Sequence, residues 1–184
     1  MENKHNRFYF IPKFQRILFY LIYKSDKIKK IMANTYHQIY IQSVFAVKYR
    51  EARIIKEVKS PLMAVLGNLI NETGSKTILV NGVEDHVHCF FGLKPSIDVS
   101  KVMQITKAKS SKWINESGIF QRRFEWQDGF GAFSYSHSQI DAVCRYIKNQ
   151  EIHHSNQTFL DEYIEMLQKF EVDFNTDYLF DEMI

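Results

Sequence analysis

From Thr35 to Val47 the chain runs Thr-Tyr-His-Gln-Ile-Tyr-Ile-Gln-Ser-Val-Phe-Ala-Val, β-branched and aromatic with partial alternation, which predicts a strand. Over Arg53 to Thr73 the apolar positions become Ile54, Ile55, Val58, Leu62, Val65, Leu66, Leu69 and Ile70, the spacing of an amphipathic helix. Pro61 is its one discordant residue, and Gly74 stands where a C-terminal stop belongs. Two strands follow, Lys76 to Val83 and His86 to Leu93, with the turn at Glu84-Asp85 and Asn81-Gly82 as a competing turn signal. After Pro95, Asp98 or Ser100 can cap a helix reaching Asn115 or Ser117, with Val99, Val102, Met103, Ile105 and Trp113 among its apolar residues. Arg123 to Ser136 is aromatic but interrupted by Gly129 and Gly131, the pattern of a bent or broken strand. Ser138 is placed to cap a helix through Ile140, Val143, Cys144 and Ile147, and a last amphipathic helix spans Phe159 to Phe170 before an acidic, aromatic tail.

The first six elements form the order βαββαβ. This predicts an α+β fold of the ferredoxin-like kind, an antiparallel sheet with two helices on one face. Its opposite face is then expected to be free for a ligand or partner, with the final helices able to swing or swap.

Composition narrows this to one folded domain with tails. The chain has 184 residues, 45% of them hydrophobic, with fifteen Phe and ten Tyr against seven Gly and three Pro, which is neither disordered nor low-complexity. The net charge of +3 conceals a segregation along the chain. Residues 1–31 carry eight basic and two acidic side chains, 32–160 carry fifteen and eleven, and 161–184 carry one and eight. A mildly basic body between a basic head and an acidic tail is compatible with nucleic-acid binding. Two cysteines, Cys89 and Cys144, are too few for a disulfide framework or a cysteine-based zinc site, so a reducing cytoplasm is the default setting. The apolar run Ile17–Tyr23 is far shorter than the ~20 residues of a membrane span and lacks a signal-peptide cleavage site. Met32-Ala-Asn-Thr reads as a natural start, which makes 1–31 a basic extension or upstream translated sequence, 32–160 the catalytic domain and 161–184 an acidic helix and tail.

Two constellations carry chemistry. In His86-Val87-His88 the imidazoles stand at i and i+2 of a strand, on one face and about 7 Å apart along the backbone, so they can converge on one cation. Val87, Cys89 and Phe91 fall on the other face and can supply the core, so the histidines need not be buried there. By itself the pair is equally what a surface or packed histidine pair would show. A histidine-triad hydrolase would need a third histidine at the next alternate position, which is Phe90. The second constellation is Tyr146-Ile-Lys-Asn-Gln150, with Tyr146 and Gln150 one helical turn apart. A tyrosine hydroxyl, with a reference pKa of about 10, becomes a useful nucleophile only with a polarised phosphate or a base beside it. The Gln150 carbonyl can add a neutral oxygen to a mixed nitrogen and oxygen site of the kind that suits Mg²⁺ or Mn²⁺. An ordinary half-buried helix tyrosine and a solvated glutamine would have the same spacing. His153 and His154 can approach a metal, although pairing with the helix C-terminus accounts for them more simply.

Together these motifs resemble the HUH single-tyrosine transposases, small insertion-sequence enzymes that move DNA as single strands, with REP-associated tyrosine transposases as relatives. The likeness runs from about Met32 to the acidic tail and includes Met32–Val47, Asn81-Gly-Val-Glu-Asp-His-Val-His88 and Trp126-Gln-Asp-Gly-Phe-Gly-Ala-Phe-Ser-Tyr-Ser136. It implies a metal held by His86, His88 and Gln150, attack on a scissile phosphate by Tyr146, a 5′-phosphotyrosine intermediate and a free 3′-OH. It also implies hairpin-ended single-stranded DNA as partner, and a homodimer whose sites are completed in trans, with Gly129 and Gly131 as plausible hinges. Two other readings remain: a domesticated nickase or recombinase of chromosomal palindromes with the same residues, and a catalytically silent single-strand-binding module. Expected DNA contacts are Lys107, Lys109, Lys112, Arg122 and Arg123 on phosphates and Trp126 stacked on an unpaired base, beside Lys101, Phe130 and Tyr135 as further candidates.

Overall fold

The computed structural model describes residues 36–176 and 179, apart from 52 and 156. The chain divides after Tyr36, and the elements of the fold belong to the unit that begins at His37. The extension 1–31 and its run Ile17–Tyr23 lie outside the described residues.

Among the described residues, four strands and five α-helices build this unit: β1 (Tyr40–Ala46), α1 (Lys56–Glu72), β2 (Lys76–Gly82), β3 (His86–Gly92), α2 (Val99–Glu116), β4 (Gly131–Tyr135), α3 (Ile140–Lys148), the single turn α4 (Gln150–His153) and α5 (Phe159–Lys169). The strands form one sheet in the order β2-β3-β1-β4, with every neighbouring pair antiparallel. This is the sheet the βαββαβ order calls for. The strand read across 123–136 is indeed broken: Trp126 makes an isolated bridge to Val47, and regular pairing starts at Gly131.

Local chemistry sets the ends. Asp98 caps α2 by accepting a hydrogen bond from the Lys101 amide at 2.6 Å. Pro61 is accommodated inside α1, and Gly74, at φ 84°, follows that helix's end. The hairpin turns at Glu84-Asp85, while Asn81 and Gly82 remain in β2. Gly82 serves close approach instead: a Cβ there would lie 2.2 Å from the His86 carbonyl oxygen. The cap before α3 is Ser136 rather than Ser138. Ser136 starts a 3-10 turn, His137–Gln139, that runs directly into α3, with Gln139 closing a capping box.

Each face of the sheet packs against helices. Ile41, Phe45, Val87, Cys89 and Phe91 point to α1 and α2 and join Val58, Leu62, Leu66, Ile70, Val102, Met103 and Ile114 in the main core. The other face is not free, as the fold order alone suggested. Phe90 packs against Val143 and Ile147 of α3, and Val44, Ala46 and Phe133 pack against Phe159, Met166 and Leu167 of α5. Apolar stripes on both C-terminal helices cover it, at about 1.5–3 kcal/mol for each large side chain buried.

Candidate active site

β3 lies between β2 and β1, so its backbone is held on both sides, and its residues alternate between two environments. Val87, Cys89 and Phe91 enter the main core, while His86 and His88 face the C-terminal helices and are fully buried there. Burial holds the His88 pKa down to about 4, which keeps its ring neutral. Burial works against charge on His86 as well, but the hydrogen bonds and charges of Asp85 and Glu162 outweigh it and raise that pKa.

Each imidazole is oriented through its Nδ1. Asp85 Oδ1 lies 2.7 Å from His86 Nδ1, which directs Nε2 into the site. Gln42 on β1 reaches His88 Nδ1 at 2.9 Å, and its own oxygen accepts from the Tyr135 hydroxyl at 2.8 Å. This amide suits either ring tautomer: its NH₂ donates to a bare Nδ1, or, turned over, its oxygen accepts from Nδ1–H and frees Nε2 to bind a cation.

The tyrosine helix docks on its own sheet. Val143 and Ile147 pack on Phe90, and the Asn81 side chain donates to the Ile147 carbonyl at 2.8 Å. A Lys59–Glu151 ion pair adds a tie from α1 to α4. Tyr146 is thereby brought to the His88 of the same chain, with ring centroids 5.8 Å apart. Within one chain the two histidines, Tyr146 and Gln150 are gathered together, with apolar packing and the Asn81 hydrogen bond holding α3 in place. Gly131 also serves packing. A Cβ there would meet Tyr163 of α5 at 2.6 Å, so its bare backbone admits that helix. The helix breaks at Asn149, and the break turns Gln150 inward until its Oε1 lies 3.4 Å from His86 Nε2.

At the centre is a residue that sequence reasoning placed in the last amphipathic helix without giving it a role. Glu162 of α5 is 1% exposed. Its Oε2 lies 3.0 Å from His154 Nε2, 3.3 Å from His86 Nε2 and 3.5 Å from His88 Nε2. Its Oε1 accepts hydrogen bonds from the Tyr146 hydroxyl and from Gln150 Nε2. Burial disfavours its charge, yet the attraction of the His154, His86 and His88 rings prevails and holds the carboxyl well below the usual carboxylate range. Burial first, then Glu162, push the Tyr146 pKa up. His154 thus faces the site rather than simply closing a helix, and its ring packs on His86 at 4.6 Å. Phe159 also stacks on His86, with ring centroids 4.1 Å apart. A cleft of about 340 Å³ between α3 and α5 opens onto Tyr146, His153 and Glu162.

The donor set fits a divalent metal. The buried His88 Nε2 has no hydrogen-bond partner among the described residues, and ligand atoms of His86, His154 and Glu162 lie within 4.8 Å of one another.

The expected DNA contacts lie elsewhere. α2 packs on the sheet face opposite the histidines, so Lys109 and Lys112, paired with Glu72 and Glu116, look away from the site. Lys107 turns back onto the carbonyl of Gln127 at 2.6 Å, and burial lowers its pKa to about 8. Arg122 and Arg123 are exposed, and Arg123 pairs with Glu125 at 3.4 Å. Trp126 does not offer a stacking face. It is 7% exposed, wedged against Phe45 and Phe124, and donates to Ser110 Oγ at 2.9 Å.

The profile of the family described as Transposase IS200 like matches residues 35–150, more than half of the chain. The chain belongs to that family. Among solved structures, a proposed transposase from Deinococcus radiodurans R1 is similar with TM-score 0.54 at 18% identity, over 64% of this chain and 95% of that one. A REP-associated tyrosine transposase bound to a REP hairpin is similar with TM-score 0.51 at 13% identity, over 66% of this chain and 72% of that one. No curated protein sequence matches this chain. At these identities the two structures speak for the shared fold. Family membership makes this transposase a DNA-processing enzyme. No helix among its described residues is long and apolar enough to cross a membrane.

Proposed function

We propose that this IS200-like transposase cleaves and rejoins single-stranded DNA through a 5′-phosphotyrosine on Tyr146, with a divalent metal, Mg²⁺ or Mn²⁺, held by His86, His88 and Gln150. The observation that carries the reading is the convergence, within one chain, of the Tyr146 hydroxyl and two buried imidazoles on the same carboxylate.

When bound, the metal supplies charge neutralisation and polarisation at a phosphate oxygen. The chain's own residues do the rest. Asp85 and Gln42 hold the imidazoles in orientation. The cleft between α3 and α5 gives a phosphate access to Tyr146. With its pKa raised, Tyr146 keeps its proton at rest, and Glu162 Oε1 already accepts that hydrogen bond. Attack forms the bond from Tyr146 Oη to phosphorus and breaks the bond to the 3′ oxygen, while the tyrosine proton passes to Glu162 Oε1 and a proton from solvent leaves the departing oxygen as a hydroxyl. The ester energy is kept in the protein link, so a second 3′-OH can reverse the step and join a new strand without ATP.

The substrate is DNA with hairpin ends, as the REP hairpin bound by the structural neighbour suggests by analogy. A homodimer would bring two cleaved ends together, although each chain carries a full set of residues. A domesticated nickase of chromosomal palindromes would use the same set. The catalytic domain is assigned to 32–160, with 1–31 as a basic extension and the cytoplasm as its setting.

Incubation with labelled hairpin-bearing single-stranded DNA and Mn²⁺ should give a covalent adduct that survives denaturation. Tyr146→Phe should lower its yield by about 10³-fold or more while hairpin binding persists. An undiminished adduct in that variant would overturn the assignment. A silent binding module would form no adduct at all.

A further inference from the structure

The family match ends at Gln150, but the residues that crowd the histidines come from beyond it. We propose that His154 and Glu162 are themselves metal ligands, so that the cation is held by three imidazoles and a carboxylate, with Gln150 beside them. The inference rests on the metal-dependent reading above.

Spacing is the first support. Metals of this class hold nitrogen and oxygen donors at about 2.0–2.2 Å, which separates neighbouring donors by roughly 3.0–3.5 Å in tetrahedral or octahedral sites. Glu162 Oε2 stands at 3.0, 3.3 and 3.5 Å from the Nε2 atoms of His154, His86 and His88. These spacings, which also serve hydrogen-bonded ion pairs, are those of donors that can share one cation.

Orientation is the second. The Nδ1 of His154 lies 2.9 Å from the Gln157 carbonyl, an acceptor only, so that nitrogen carries the hydrogen. The Nδ1 of His86 likewise faces the Asp85 carboxylate. In the form able to bind a metal, both Nε2 lone pairs would point toward the Glu162 carboxylate, and His88 Nε2 faces the same oxygen without a hydrogen-bond partner among the described residues. Without a metal, protons on Nε2 answer the carboxylate, and one divalent cation can replace them and be shared by all the donors. The backing of each ring by a carbonyl or carboxylate is the usual support of a metal-binding histidine.

Connection to the nucleophile follows from the other oxygen. Glu162 Oε1 accepts from Tyr146 and Gln150, so the carboxylate that would bind the metal also fixes the attacking hydroxyl. Three imidazoles with one carboxylate suit a borderline first-row cation such as Co²⁺ better than Mg²⁺, which prefers oxygen donors, with Mn²⁺ between the two.

The test uses the full chain, stripped with chelator and titrated with Co²⁺, read by its visible absorption bands. Glu162→Gln and His154→Gln should each weaken Co²⁺ binding at least about 10-fold and alter the bands, and should shrink the rise in Tm on adding Mn²⁺. Far-UV circular dichroism of the apo variants reports the fold, and His154→Gln, at the partly open edge, decides if the Glu162 variant does not fold. Wild-type affinity and bands in both variants, with binding lost in His86→Ala, would overturn the proposal and leave the transposase reading standing. Tighter Co²⁺ binding by Glu162→Gln would also overturn it, because the carboxylate would then be blocking the site. Failure of the wild-type chain to bind Co²⁺ or Mn²⁺ would remove the metal-dependent reading itself, and this proposal with it.

Discussion

The two faces of β3 share one backbone and diverge in everything else. Toward α1 and α2 it presents Val87, Cys89 and Phe91 to a dry core, where burial alone pushes the Cys89 thiol up and leaves it inert. Toward α3 and α5 it presents His86 and His88 to a carboxylate, an amide and a phenol, every one of them buried or half-buried. Burial on the first face is favourable by itself. On the second it is tolerated because each polar atom is matched by another, and the one that is not, His88 Nε2, marks where a further charge belongs. Rigidity supplied by the first face is what the second uses to keep two imidazoles in register.

Substitutions on either face test this division of labour. The largest effect is expected from Phe91→Ala, which should cost about 3–5 kcal/mol in denaturant unfolding while the molecules that remain folded bind metal as before. A loss below about 1 kcal/mol would mean that the apolar face is not what holds the strand. Gln42→Leu acts on the other face. It removes the group that orients His88 and should weaken metal affinity about 10–100-fold with the fold retained, read by calorimetry. Unchanged affinity would show that His88 is positioned by packing alone. The smallest effect concerns Lys107, under the first face. Its folded pKa of about 8 lies below the ordinary lysine value, so the unfolded chain binds more protons from there up to about pH 10.5, and stability contributed by this group rises with pH across that window. The stability of the wild-type chain relative to Lys107→Met should therefore increase from pH 8 to 10.5, and a flat difference in thermal unfolding would refute the burial of that ammonium.

Much of the fold was legible because local signals agreed with one another. Alternation in β3, the spacing of α1, the Asp98 cap and the glycine interruptions before β4 each describe what a short stretch can do alone. The Tyr146 and Gln150 spacing and the His86, His88 pair were legible in the same way. What escaped was set by docking. Nothing near Trp126 says that Ser110 will take its indole N–H, and the aromatic pattern reads equally as an exposed surface. Glu162 stands in a segment with eight acidic residues and one basic, where a carboxylate on the predicted helix reads as solvated until α5 folds over the sheet. The faint signal was periodic: Phe159, Glu162 and Met166 share one helical face, so a carboxylate there travels inward with its apolar neighbours.

Gly131 sets how deep α5 can sit. Tyr163 occupies the space its missing side chain leaves, one position along from Glu162, so the smallest added group at residue 131 acts as a shim under the helix. A single methyl there would press on the Tyr163 ring, which must swing aside or carry α5, and the carboxylate with it, outward from the three imidazoles.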